Sequence, residues 1–195
     1  MTAVRIGVRS ILGSPPVYHA LASLDDGPFG VVRALFLDKP RGRSWAIPWH
    51  QDVTIAVEDN TLASSVFTKP TTKSGVPHVE APVDLLERMI IVRIHLDPVT
   101  KVNGPMMVVP GSHKTGKSTR ADTQTDVTLL HDAGDVLLIR PLVLHRSLKS
   151  EAGTTLARRV IHLELAPVEE LPEGYRWRWW GAGFGAGSGV APHGS

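Results

Sequence analysis

Residues 126–150, "DVTLLHDAGDVLLIRPLVLHRSLKS", decide how this chain is read. Short apolar runs flank Asp132-Ala133-Gly134-Asp135, a cluster of turn formers, and no run is long enough for a stable helix. Two or three strands around the 132–135 turn are therefore predicted. The last run, "PLVL", ends by presenting His145 and passes into the polar "RSLKS". An apolar strand that ends on a histidine is how a jelly roll delivers a ligand to the mouth of its barrel.

The same pattern continues on both sides. "ARRVIHLELAP" (157–167) predicts the last strand, and "IIVRIHLDPV" (90–99) an earlier one with many β-branched residues. "VNGPMMVVPGSHKTG" (102–116) divides into short extended pieces at Asn-Gly-Pro and Pro-Gly. "FGVVRALFLDKP" (29–40) and Ile47–Val57 add two strands nearer the N-terminus. Short helices are expected at "PPVYHALASL" (15–24), where proline suits a first turn, and at "PVDLLERM" (82–89). The polar, proline-broken stretch 58–82 reads as a long binding loop or lid. About eight short strands with few helices predict a mainly β fold, a jelly roll of the double-stranded β-helix, cupin-like kind. One domain is expected over 1–172, followed by a Trp- and Gly-rich tail over 173–195 that is expected to be mobile.

Composition narrows the chemistry. With 21 Lys and Arg against 19 Asp and Glu, the formal charge of +2 points to neither nucleic acid nor a membrane surface. A small-molecule substrate is the expected partner. Cysteine is absent, so any metal must be held by His, Asp or Glu. The N-terminus has no apolar leader, and no run of about 18 apolar residues occurs, so a soluble, cytoplasmic protein is expected.

Within "AIPWHQDVTIAV" (46–57), His50 and Asp52 are two residues apart and project from one face of a strand, while Trp49, Gln51 and Val53 take the other for packing. A His-x-Asp pair alone is a weak signal and reads first as a hydrogen-bonded pair at a strand edge. With His145 it becomes two histidines and a carboxylate, the facial set of non-haem Fe(II) oxygenases, with positions left open for a cosubstrate and O2. A bidentate 2-oxo acid there needs a cation for its far carboxylate, which arginine suits. Arg158 and Arg159 lie on opposite faces of the last strand, and the polar company of Arg158 (Val160, His162, Glu164) favours it as the inward one. Rim contacts to substrate are expected from Lys73 and His78, with Arg33 and Lys39 either beside them or in solvent. His95 and His162 read as core histidines, and His131 as exposed.

Together, "PWHQD", "RIHLDPVTKVNGPMMVVPGSHKTG", "AGDVLLIRPLVLHRSLKS" and "RRVIHLEL" resemble the phytanoyl-CoA dioxygenase family of Fe(II)/2-oxoglutarate-dependent oxygenases over about residues 30–166. The resemblance implies a catalytic metal set of His50, Asp52 and His145, with Ser147 and Arg158 binding 2-oxoglutarate and Arg159 in reserve. It implies Fe(II), 2-oxoglutarate and O2 as cofactors, and hydroxylation of a small-molecule C–H bond with release of succinate and CO2. Halogenating relatives carry Ala or Gly where this chain has Asp52, so halogenation is not expected. Desaturation or cyclisation, or a non-catalytic jelly-roll binder, are the alternatives. Three departures stand out. Arg158 follows His145 by two residues more than in the family, so "KSEAGTTLA" (149–157) must bulge. The N-terminal region is short, which is expected to leave the barrel's outer face thinly covered and open to a partner copy, as in a homodimer. The tail matches nothing in the family pattern.

Overall fold

The computed structural model describes residues 11–24, 28–118 and 125–184, the last three by backbone alone. In chain order the elements are α1 (Pro15–Ala22), β1 (Phe29–Lys39), β2 (Ile47–His50), β3 (Thr54–Ala56), β4 (Thr68–Lys73), β5 (Val76–Glu80), α2 (Val83–Arg88), β6 (Ile90–His95), β7 (Met106–Val108), β8 (Val127–Leu129), β9 (Val136–Ile139), β10 (His145–Ser147), β11 (Arg158–Ala166) and β12 (Gly181–Phe184). A major sheet runs β12-β1-β11-β6-β9 and a minor sheet β2-β10-β7-β8, with every paired strand antiparallel. This is the expected mainly β jelly roll, with a third sheet, β3-β5-β4, at one end.

The two faces of the major sheet differ in kind. Val31, Val92, Ile94, Leu163 and Leu165 face outward, where α1 covers them with Val17 and Leu21, joined by Leu12. The other face, turned to the barrel interior, carries the alternate residues. Register sets Lys39 opposite Arg158, His162 opposite Arg93, and Glu164 beside Arg33. Period two makes one strand apolar on one side and charged on the other.

Three expectations change. The predicted strand 47–57 is interrupted at Gln51–Val53, where the chain leaves the minor sheet for the third one and the Asp52 N–H donates to the Pro141 carbonyl (2.9 Å). The stretch 58–82 contains the hairpin β4–β5, whose turn is Ser74-Gly75, both at positive φ. Within the tail, residues 173–184 pack on the domain, and 185–195 lie outside the described residues. Tyr175 and Trp177 are buried with Val32, Ile55 and Phe67, and Trp177 Nε1 donates to the Val168 carbonyl (3.1 Å). Trp180 lies on Gly30, where a Cβ would approach its ring to 2.3 Å, and β12 pairs with the edge of β1. Buried aromatic area outweighs the entropy of ordering the glycines around it.

Candidate metal and anion site

His50 ends β2 and His145 opens β10, and the two are direct cross-strand partners. Their rings lie 4.2 Å apart between centroids. Asp52, two residues past the end of β2, turns its carboxylate toward both. Its Oδ1 is 3.8 Å from His50 Nε2 and its Oδ2 3.6 Å from His145 Nε2. One donor atom from each residue falls within 4.8 Å of the others.

The backbone sets the tautomers. His50 Nδ1 lies 2.8 Å from the Pro48 carbonyl and His145 Nδ1 2.8 Å from the Val143 carbonyl. A carbonyl only accepts, so each Nδ1 carries the proton and each Nε2 presents its lone pair toward Asp52. Burial holds the His145 pKa below its ordinary value despite the nearby Asp52 charge, which keeps its ring neutral and ready to ligate. Two imidazole Nε2 donors and one carboxylate fit a divalent cation. Gln51 locks the loop between β2 and β3: its Nε2 donates to the Leu142 (2.7 Å) and Gly116 (3.0 Å) carbonyls, and its Oε1 accepts from the Ser118 N–H (2.9 Å). Trp49 stacks under Arg146, 4.9 Å from ring centroid to guanidinium carbon. Both residues serve packing and support, as expected of that face.

Two residues beyond His145, Ser147 forms a second centre. Its Oγ accepts from Arg158 Nη2 (3.2 Å) and from Lys39 Nζ (2.9 Å), and Lys39 also donates to the Leu148 carbonyl (2.6 Å). With both lone pairs engaged, the serine hydroxyl is left to donate. Lys39 is 1% exposed and Arg158 4%, and among the described residues no carboxylate pairs with either. Arg158 Nε is buried without a partner. Burial first, then the Arg158 and Arg93 charges, pulls the Lys39 pKa down to about 7, and burial takes Arg158 to about 10. Buried cations without a counter-charge are unfavourable unless an anion joins them. Gly104, at φ +76°, makes room: a Cβ there would meet the Leu148 carbonyl oxygen at 2.5 Å and Lys39 Nζ at 3.1 Å. Asn103 secures that turn by donating to the Pro98 and Ala157 carbonyls.

Of the two final-strand arginines, Arg158 is the inward one. Arg159 is exposed and forks onto Asp97 (2.7 and 2.9 Å). The longer 149–157 connection is absorbed before β11 begins. Lys39 was missed as a site residue: it lies in the interior and not in solvent or at the rim. Its signal was the alternation that places it with Arg33, and Arg33 is inward too, donating to Glu164 (2.9 Å). Lys73 and His78 do not join the site. Lys73 donates to Thr54 Oγ1 (2.6 Å) within the third sheet, and His78 is buried in β5. His131 is half-buried, contrary to expectation, and stacks on His95 at 4.0 Å. Both His95 nitrogens are buried without partners, and burial first, then neighbouring cationic groups, pushes its pKa down to about 3. Among the described residues no helix is long and apolar enough to cross a membrane.

A family model described as phytanoyl-CoA dioxygenase matches residues 7–159. No curated protein matches the chain. Among solved structures, the apo form of the non-heme monooxygenase ThoJ is 19% identical with a TM-score of 0.57, over 78% of this chain and 52% of that one. The non-heme alpha ketoglutarate dependent epimerase SnoN, from nogalamycin biosynthesis, is 16% identical with a TM-score of 0.57, over 94% of this chain and 71% of its own. HygX from Streptomyces hygroscopicus, solved with nickel and 2-oxoglutarate bound, is 14% identical with a TM-score of 0.53, over 84% and 66%. At these identities the likeness establishes the fold. The chain spans about half the length of ThoJ.

Proposed function

The chain belongs to the phytanoyl-CoA dioxygenase family, and from that premise we propose that it is a non-haem oxygenase using Fe(II), 2-oxoglutarate and O2 to hydroxylate a C–H bond of a small molecule. The observation that carries this reading is one interior holding both a His-Asp-His donor set and, beside it, two buried cations with no carboxylate partner. The first suits a divalent metal and the second suits an anion. 2-Oxoglutarate needs both. HygX, of the same fold, was solved with nickel and 2-oxoglutarate bound, which accords with this pairing.

His50, Asp52 and His145 would hold the metal, with both imidazoles fixed as Nε2 donors by the Pro48 and Val143 carbonyls. When bound, the iron couples decarboxylation of 2-oxoglutarate to succinate and CO2 with the activation of O2. Arg158 and Lys39 bind the distal carboxylate by charge-assisted hydrogen bonds, and the Ser147 hydroxyl donates to it between them. Asp52 keeps the third ligand position filled by protein, which favours hydroxylation over halogenation. Met106 and Val108, the cross-strand partners of Ser147 and His145, put apolar surface beside both centres.

The test is spectroscopic and needs no substrate. Anaerobic protein given Fe(II) and 2-oxoglutarate is expected to develop the visible charge-transfer band of a chelated 2-oxo acid, and slow succinate release on admitting air. Folded protein that shows no band is not an oxygenase of this kind, and a non-catalytic jelly-roll binder would then be the better description.

A further inference from the structure

Between the His-Asp-His set and the Ser147 centre stands a third buried cation. Arg93, on the interior face of β6, is 7% exposed. Its Nη1 donates to His162 Nδ1 (3.1 Å), and its Nε is buried with no partner. Because His162 accepts at Nδ1, its proton resides on Nε2, which faces Glu164 Oε1 at 3.7 Å. Glu164 Oε1 in turn accepts from Arg33 Nη1 at 2.9 Å. The row Arg33–Glu164–His162–Arg93 thus crosses three adjacent strands, β1, β11 and β6, on one face.

The order of groups in that row matters. Glu164 neutralises Arg33, while Arg93 is held by a neutral imidazole and by no carboxylate among the described residues. The His162 contact therefore orients the guanidinium, and no hydrogen-bonded carboxylate among the described residues neutralises it. Its charge lies close enough to Lys39 and Arg158 to add to the burial that lowers the pKa of each. Register places Arg93 opposite His162, on the interior face that also carries Arg158 and Lys39.

A 2-oxo acid that chelates a metal through its keto oxygen and one oxygen of the adjacent carboxylate leaves that carboxylate's second oxygen in a dry interior. That oxygen needs a donor. We propose that Arg93 binds the metal-proximal carboxylate of 2-oxoglutarate, with His162 as the residue that positions it, while Lys39, Ser147 and Arg158 hold the distal one. The inference rests on the oxygenase reading above. It makes selectivity divisible: Arg93 recognises any 2-oxo acid, and Arg158 only one with a second carboxylate.

Truncating the ligand and the side chain together tests this. Under anaerobic Fe(II), dissociation constants are measured from the charge-transfer band for 2-oxoglutarate and for 2-oxopentanoate, which has the same chain length and no distal carboxylate. Arg93→Gln is expected to weaken both ligands by about 10- to 100-fold, the range for losing one charge-assisted bond. Arg158→Gln is expected to weaken 2-oxoglutarate alone. His162→Phe is expected to reproduce part of the Arg93 loss with both ligands. An Arg93→Gln loss confined to 2-oxoglutarate, or absent for both, overturns the proposal. Wild-type protein that binds neither ligand overturns the oxygenase reading and the proposal with it. If Arg93→Gln does not fold, a crystal structure of the wild-type chain with Ni(II) and 2-oxoglutarate decides. An Arg93 nitrogen within about 3.2 Å of the metal-proximal carboxylate supports the assignment, and contact with the distal carboxylate or with neither overturns it.

Discussion

The two faces of the major sheet come from the same strands and are both buried, yet they do opposite things. The outer face places Val92, Ile94, Leu163 and Leu165 under α1, and each such side chain contributes about 1.5–3 kcal/mol by leaving water. The inner face places Arg93, Arg158, Lys39 and His162 in the interior, where desolvating a charge is unfavourable. The apolar face holds the domain together, and the charged face is retained because a ligand completes it. Substitutions on the two faces should therefore separate stability from ligand binding.

The largest effect is expected at the metal set. Asp52→Ala and His145→Ala should each remove uncoupled succinate formation and weaken metal binding by more than the roughly 10–100-fold typical of changes to groups that only support a ligand, with an unchanged circular dichroism spectrum. Unchanged turnover in either variant would mean that the ligands are misassigned. On the opposite face, Leu163→Ala should lower unfolding stability by about 2–5 kcal/mol in a urea titration while leaving the affinity for 2-oxoglutarate as it was; a large loss of affinity would break the division between the faces. Next in size, Arg158→Gln should raise the dissociation constant for 2-oxoglutarate about 10- to 100-fold, whereas Arg159→Gln, exposed and paired with Asp97, should leave it unaltered.

The smallest effect is a pH dependence with opposite signs in the two states. Lys39 titrates near 7 in the folded chain against an ordinary value of 10.5. Between those two values the unfolded chain binds more protons than the folded one, so the contribution of Lys39 to stability rises with pH across that window. An anion on Ser147 favours the protonated lysine, so affinity for 2-oxoglutarate should fall as pH rises above about 7. Arg158 and Arg93 are the charges that face Lys39, and Arg158, at about 10, stays protonated near neutral pH. Melting curves of wild type and Lys39→Met, with and without 2-oxoglutarate, should show both trends in the wild type and neither in the variant. A wild-type affinity that is flat from pH 7 to 9 would exclude Lys39 from the anion seat.

Much of the site was legible in residue spacing. His50 and Asp52 were recognisable because an i, i+2 pair shares a strand face, although the strand itself stops at His50 and a turn bonded to Pro141 carries Asp52 to the same place. Arg158 was separable from Arg159 because alternation gave it polar company. Sequence alone sends Lys39 to the rim or to solvent, because a lone lysine in a strand is most often solvated. Its burial follows from Arg158, Ser147 and Gly104, which are distant in sequence and adjacent only across the sheets. The tail misled for a similar reason: glycine-rich composition signals mobility, but Gly30 leaves a seat for the Trp180 ring and the core around Phe67 accepts Tyr175 and Trp177.

By itself, then, the sequence determined strand periodicity, the absence of thiolate chemistry and the residue types able to bind a metal, since these depend on local spacing and on which side chains exist. Only the tertiary structure decided which face of each strand became the interior. That choice gathered Lys39, Arg93 and Arg158 around one space, because whether a cation is tolerated in the interior depends on partners supplied by other strands and, here, on an anion the chain itself does not provide.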